Sequence, residues 1–204
     1  MTNAGIVTSL LTRNRMLATR FAGLIVLGYV TLSAPPFYIY GWVAVVLELI
    51  GYILLVLSAT GRIWCLVFIS GRKNQTIVDT GPYSIVRNPL YVFNLIAVLG
   101  FGLAVGRPIL AVLLTIGFIV FYREAVAKEE EHLIATFGEM FTKYAASTPR
   151  WLPRFENYHE PDRVLVDPFI FRRGIIDAGL ILALFFAWKI IEHLRMSLLL
   201  PTFI

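Results

Sequence analysis

The chain has 204 residues, of which 58% are hydrophobic and only 15% charged, for a mean hydropathy of +0.75. A soluble domain carries about 45–50% apolar and roughly 25% charged residues, so composition excludes an ordinary soluble domain and a disordered chain alike. The net charge of +5 fits Lys and Arg set beside an anionic membrane leaflet, and no nucleic-acid partner is expected.

A membrane-crossing helix needs about 20 residues, and five stretches approach that length. Residues 21–38 form the first and end at the breaker pair Pro35-Pro36. Residues 40–60 form the second, with Glu48 inside it. The third starts at Pro89, a residue suited to a helix's first turn, and runs to about Val105. Gly106-Arg107-Pro108 is a tight connection, so the fourth, residues 108–122, folds back as a helical hairpin. The fifth, residues 174–194, is interrupted by Asp177, Lys189 and His193, and a helix lying in the interface is the alternative there. The expected fold is therefore an all-α integral membrane protein with about five spans, a single membrane domain over residues 1–204.

Basic residues orient it. Arg13, Arg15 and Arg20 precede the first span; Arg62, Arg72, Lys73 and Arg87 lie between the second and third. Eight more lie between the fourth and fifth, leaving Arg107, Lys189 and Arg195 of the 18 elsewhere. The N-terminus is expected in the cytoplasm, behind an uncleaved first span. The polar chain gathers into two cytoplasmic pieces, residues 61–88 and 123–173.

In the first piece, Gly81-Pro82 marks a turn and Asn88-Pro89 starts the third span. Arg87 thus falls at a helix N-terminus on the membrane surface, where donors suited to an anion converge. Two readings stay open for it: an anion-binding role, or a cation reaching lipid phosphate. In the second piece, the helical spacing of Val126, Leu133, Ile134 and Phe137 extends the fourth helix out of the membrane to Gly138, a C-cap. Glu129, Glu130 and Glu131 project over almost the whole circumference, so one should face the bundle, although a run of Glu also reads as a solvated face.

Gly81-Pro82-Tyr83, then Arg87-Asn88-Pro89 and Tyr91, resembles the Gly-Pro-Tyr…Arg-His-Pro-x-x-Tyr segment of the isoprenylcysteine carboxyl methyltransferase family, relatives of the membrane phospholipid methyltransferases. Glu129-Glu130-x-x-Leu133, Phe137-Gly138, Tyr144 and Pro149-Arg150-x-x-Pro153 resemble that family's second motif. The matched region is residues 47–153, with residues 154–204 as a tail plus the fifth span. Asn88 replaces the family's usual His; it keeps hydrogen bonding but not titration near neutral pH.

The resemblance implies a methyltransferase using S-adenosylmethionine, with no metal required. It implies a lipid or lipidated acceptor entering from the bilayer, first among them the carboxylate of an isoprenylcysteine. Amine or phosphate headgroups are the alternative acceptors, and a non-enzymatic transporter or assembly subunit is the rival of another class. Tyr83, Asn88, Tyr91 and Glu129 are then expected to bind the cofactor. Arg87, Glu130 and Arg150 are expected at the catalytic centre.

Three further features need a reading. The single Cys65 excludes an intramolecular disulfide and a multi-cysteine metal site. Gly100-Phe101-Gly102 with Gly106 imitates a nucleotide loop but sits in an apolar span after no strand, so close helix packing accounts for it better. Glu48 is a functional candidate by its place in a span, or else a hydrogen-bond partner for Asn94.

Overall fold

The computed structural model describes residues 41–72 and 75–197, with Val26, Gly28 and Tyr29 besides. The first expected span therefore lies outside the described residues almost entirely. Among the described residues all regular structure is helical: α1 (Trp42–Ile69), α2 (Pro82–Ile85), α3 (Pro89–Ala104), α4 (Pro108–Phe137), α5 (Glu139–Ser147), a 3-10 turn (Phe155–Asn157) and α6 (Pro168–Ser197). Three of these, α1, α4 and α6 as far as Leu194, are long and apolar enough to cross a bilayer. The chain is an all-α integral membrane protein.

Two compact units divide the chain, one of residues 38–186 and one of 1–37 with 187–204. In the second unit the described end of α6 carries an ion pair one turn long, Lys189 Nζ to Glu192 Oε2 at 2.7 Å. The hairpin and both polar segments belong to the first unit.

The α3–α4 hairpin forms where the sequence placed it. Gly106 takes a positive φ of 69°, which a Cβ would penalise, and Pro108 fills the first turn of α4. α1 runs alongside α3, which in turn packs on α4. Glycine makes both approaches close. A Cβ on Gly51 would stand 2.3 Å from the Ala104 backbone nitrogen, and one on Gly102 would stand 2.3 Å from Ala111 Cα. The glycine cluster is thus helix-packing surface, as expected. Gly102→Ala should destabilise the protein by about 1–3 kcal/mol through overpacking, seen as an earlier denaturation midpoint in detergent. Gly117→Ala, with nothing within 4 Å of the added atom, should be neutral; equal midpoints for both would discard this account.

Two boundaries differ from the sequence reading: α6 starts at Pro168, six residues before the expected 174, and α1 runs past residue 60, whereas α3 keeps its expected ends to within a residue. α3 has only 16 residues, about 24 Å of helix at 1.5 Å per residue, and so is shorter than a full crossing. α1 continues nine residues past the expected end, to Ile69, so Arg62 lies inside the helix rather than in a loop. Its neighbours on α3 make that tolerable: Arg62 Nη1 donates to Asn94 Oδ1, and the ring of Phe93 occupies the space beside Gly61. Asn94, weighed as a partner for Glu48, is therefore engaged by Arg62. Glu48 Oε1 lies instead beside the hairpin turn, 3.3 Å from where a Gly106 Cβ would stand.

Outward faces of α1 and α4 remain apolar and exposed, among them Val45, Leu49, Ile53, Val112, Leu113 and Ile116. Acyl chains are the natural cover for such a surface. At its polar end α1 closes a small core of Cys65, Phe68 and Tyr83, with Leu90, Phe93 and Val164 packed around it. That core fixes α2 and the start of α3 against α1.

Candidate active site

The two polar segments meet. Arg87 N–H donates to the Pro149 carbonyl at 2.9 Å, Arg154 N–H to the Ile85 carbonyl at 2.9 Å, and Gly81 N–H to the His159 carbonyl at 2.9 Å. The Ser84 hydroxyl adds to this seam by accepting from His159 N–H at 3.3 Å. These backbone bonds sew the chain after α5 onto the α2 turn. Gly81 is required there twice over: its φ is 59°, and a Cβ would fall 2.4 Å from Phe68 Cζ.

One carboxylate organises the junction. α4 emerges from the hairpin and continues to a Gly138 cap, whose N–H bonds the Ile134 carbonyl at 2.8 Å. On that helix Val126 and Glu130 lie one turn apart on the buried face, while Glu131 is exposed. Glu130 Oε2 accepts from Arg150 Nε at 3.0 Å and Nη2 at 2.5 Å, and from Arg87 Nη1 at 3.4 Å. Glu130 Oε1 accepts from Asn88 Nδ2 at 3.2 Å. Asn88 occupies the N-cap position of α3 yet makes no side-chain cap bond. Its amide is turned away to Glu130 and to the Arg150 carbonyl at 3.4 Å, so the site overrides the local preference for a capping Asn.

Beside this cluster opens a cavity of about 460 Å³, within the roughly 300–1,000 Å³ usual for small-molecule sites. Tyr83, Arg87, Asn88, Tyr91 and Glu129 all line it. Glu130 and Arg150 do not; they stand behind the wall and grip Arg87 and Asn88. Glu129 Oε2 accepts from the Tyr91 hydroxyl at 3.0 Å, across the mouth of the hairpin. Two polar atoms of lining residues are buried and have no hydrogen-bond partner among the described residues: the Tyr83 hydroxyl and Arg87 Nε.

The rest of the wall was beyond sequence reasoning. Leu66 and Ile69 come from α1, Gln75 to Val78 from the segment before Gly81, Phe141 and Tyr144 from α5, and Ile170 from the first turn of α6. Tyr144, like the lining residues Pro89 and Leu133, belonged to a noted motif. Asp167 had a local signal as a helix cap, and its Oδ1 accepts from Phe169 and Ile170 N–H at 2.9 and 3.1 Å. That cap sets the turn that brings Ile170 to the cavity.

Burial pushes the Tyr83 phenol well above its ordinary value, with the nearby Cys65, Tyr144 and Glu129 adding to the effect. Tyr144, whose hydroxyl donates to the Tyr83 carbonyl at 2.7 Å, is likewise raised, by burial first and Asp79 next. A fold that holds the neutral phenol binds its proton more tightly than the unfolded chain does. Its contribution is intact below the ordinary phenol value of 10.0 and is lost as pH rises above it. Stability in detergent should therefore fall above about pH 10, less steeply in Tyr144→Phe; parallel curves for the two proteins would refute the assignment.

Among the described residues no group of three or more His, Cys, Asp or Glu side chains is placed to hold a metal ion.

The family model described as phospholipid methyltransferase matches residues 37–140. A nickel-cobalt-cadmium resistance protein of Alcaligenes xylosoxydans xylosoxydans is 34% identical over 163 residues, 80% of this chain and 76% of that one. A cobalt-zinc-cadmium resistance protein of Cupriavidus metallidurans is 37% identical over 137 residues, 67% of this chain and 63% of that one. A protein-S-isoprenylcysteine O-methyltransferase of Schizosaccharomyces pombe is 28% identical over 81 residues, 40% and 34% of the two chains. No solved structure matches.

Proposed function

The chain belongs to the phospholipid methyltransferase family, and from that premise we propose that it transfers a methyl group from S-adenosylmethionine to a lipidic acceptor at the membrane's cytoplasmic face. The observation that carries this reading is the cavity itself. Side chains from both ends of the hairpin, Arg87, Asn88 and Tyr91 on one side and Glu129 on the other, converge on a single hollow whose remaining wall is mostly apolar, with Gln75, Thr76, Tyr83 and Tyr144 among its aliphatic residues.

The donor set suits that cofactor. A carboxylate such as Glu129 matches a ribose diol or an ammonium, and tyrosine faces such as those of Tyr83 and Tyr91 match adenine or a sulfonium. When bound, the cofactor supplies an electrophilic methyl group: a carbon–sulfur bond breaks, a bond to the acceptor forms, and the sulfur leaves as a neutral thioether. Arg87 aims the acceptor's anionic group. Glu130 and Arg150 act through Arg87 and Asn88, as positioning residues. The mostly apolar wall lowers the local polarity, which favours a displacement that disperses charge. The acceptor we favour is a carboxylate of isoprenylcysteine type; like a phosphate it needs no proton removed, whereas a headgroup amine does, and amine and phosphate headgroups are the alternatives.

A test in two stages separates these points. The detergent-purified protein should be stabilised to heat by S-adenosylhomocysteine, by about 2.7 kcal/mol at a hundredfold excess over Kd, and not by NADPH. Stabilisation by neither would turn the reading toward a non-enzymatic membrane protein. Incubation with methyl-labelled donor and a total lipid extract, followed by base, should release volatile methanol from a carboxyl ester. Label held on an amine headgroup would replace the favoured acceptor.

The names of two relatives support a second, physiological reading, in which the methyl transfer serves tolerance to nickel, cobalt, zinc or cadmium. A strain lacking this chain should then regain growth on those ions with the wild-type protein but not with Arg87→Ala.

A further inference from the structure

Arg62 stands apart from the machinery described so far. It lies seven residues before the end of α1, about 10 Å down the helix at 1.5 Å per residue, in a span where a cation is costly unless something receives it. Its partner is neutral: Nη1 donates to Asn94 Oδ1. Its Nε is buried with no hydrogen-bond partner, and no carboxylate forms an ion pair with it among the described residues. A guanidinium that reached up to lipid headgroups only would not bury Nε against a neighbouring helix.

Helical register says what lies above it. Residues four apart share a helix face. Leu66 is four residues on from Arg62 along α1, and Leu90 is four residues before Asn94 along α3; both line the cavity. The two helices run in opposite directions, as Gly51 beside Ala104 and Ser58 Oγ donating to the Phe93 carbonyl at 2.7 Å show. The Arg62–Asn94 pair therefore sits one turn beneath the cavity, on its bilayer side.

We infer that Arg62, oriented by Asn94, is an anion seat that holds an oxyanion of the acceptor lipid, a carboxylate or phosphate carried on an acyl chain, as it enters the cavity from the bilayer. Arg62 is a specificity-determining residue on this account. The inference rests on the lipid-methylating reading above and narrows it to anionic acceptors.

The protein in maltoside micelles would be titrated with dodecyl phosphate, dodecanoate and inorganic phosphate, with S-adenosylhomocysteine as a fourth, independent ligand. Wild type should bind both chain-bearing anions saturably. In Arg62→Gln those dissociation constants should rise about tenfold or more, the loss of one charge-assisted contact, with S-adenosylhomocysteine affinity unchanged. Unaltered binding of the chain-bearing anions would overturn the proposal, and so would inorganic phosphate competing as well as dodecyl phosphate, which would mark a free-anion site. Should Arg62→Gln not fold, Arg62→Lys and Asn94→Ala read the same constants, and wild-type values in both would be equally fatal. If S-adenosylhomocysteine fails to bind while the anions still depend on Arg62, the methyl-transfer reading falls and the anion seat stands.

Discussion

Glu130→Ala should both unfold the protein more easily and silence it. The Glu130 side chain is 6% exposed and takes Arg87 and Arg150 on one oxygen and Asn88 on the other. Its removal leaves two guanidinium groups side by side with no anion between them. Breaking a buried pair from one side costs roughly 3–5 kcal/mol; Arg150 is 44% exposed, so water screens it and the low end, about 3 kcal/mol, is expected. Denaturant titration in detergent measures this. Glu130→Gln keeps an acceptor for Asn88 while losing the charge, so it should recover much of the stability but little of kcat. A Gln variant with wild-type kcat would mean that the carboxylate holds the fold and nothing more.

Arg87→Ala should leave the fold nearly intact and remove methyl transfer. The Arg87 pair with Glu130 is long, 3.4 Å, and its side chain is 16% exposed, whereas its N–H bond to Pro149 is backbone and survives substitution. On the proposed role, losing this charged donor to the reacting group costs about a hundredfold or more in kcat/KM, read with labelled donor and extracted lipid. Arg87→Lys keeps the charge but not the planar fork and should fall between. If Arg87→Ala instead weakens S-adenosylhomocysteine binding with kcat spared, the guanidinium serves the donor and not the acceptor. Near wild-type values throughout would withdraw its role.

How far the sequence carried the reading depended on whether the determinant was local. Apolar runs, Pro89, Gly106-Arg107-Pro108 and Gly138 are local signals, and the hairpin and its long second helix follow from them. The reach of α1 past residue 60 was hidden because Arg62 reads as a loop residue until Asn94, 32 residues away, is known to receive it. Among three successive glutamates, composition says nothing about which faces inward. Helical phase from Val126 selects Glu130, but only once the buried face is known. The family motifs named Arg87, Asn88, Tyr91 and Glu129 together because spacing survives in sequence. They were silent on Thr76, Ile77 and Ile170, which come to the wall from stretches outside both motifs, Ile170 through the Asp167 cap.

The unbroken course of α4 has a mechanical corollary. Its 30 residues make a rod of about 45 Å, apolar at the hairpin end and carrying Glu129 and Glu130 beyond it. No hinge separates the part that dissolves in hydrocarbon from the part that bears the carboxylates. Hydrophobic mismatch at one end, relieved by tilt or by sliding of the helix, is transmitted undiminished to the other. On the proposed lipid-methylating reading, lipid thickness would then set the height of the hollow above the glycerol layer, and acyl-chain length would control how far an acceptor must rise to react.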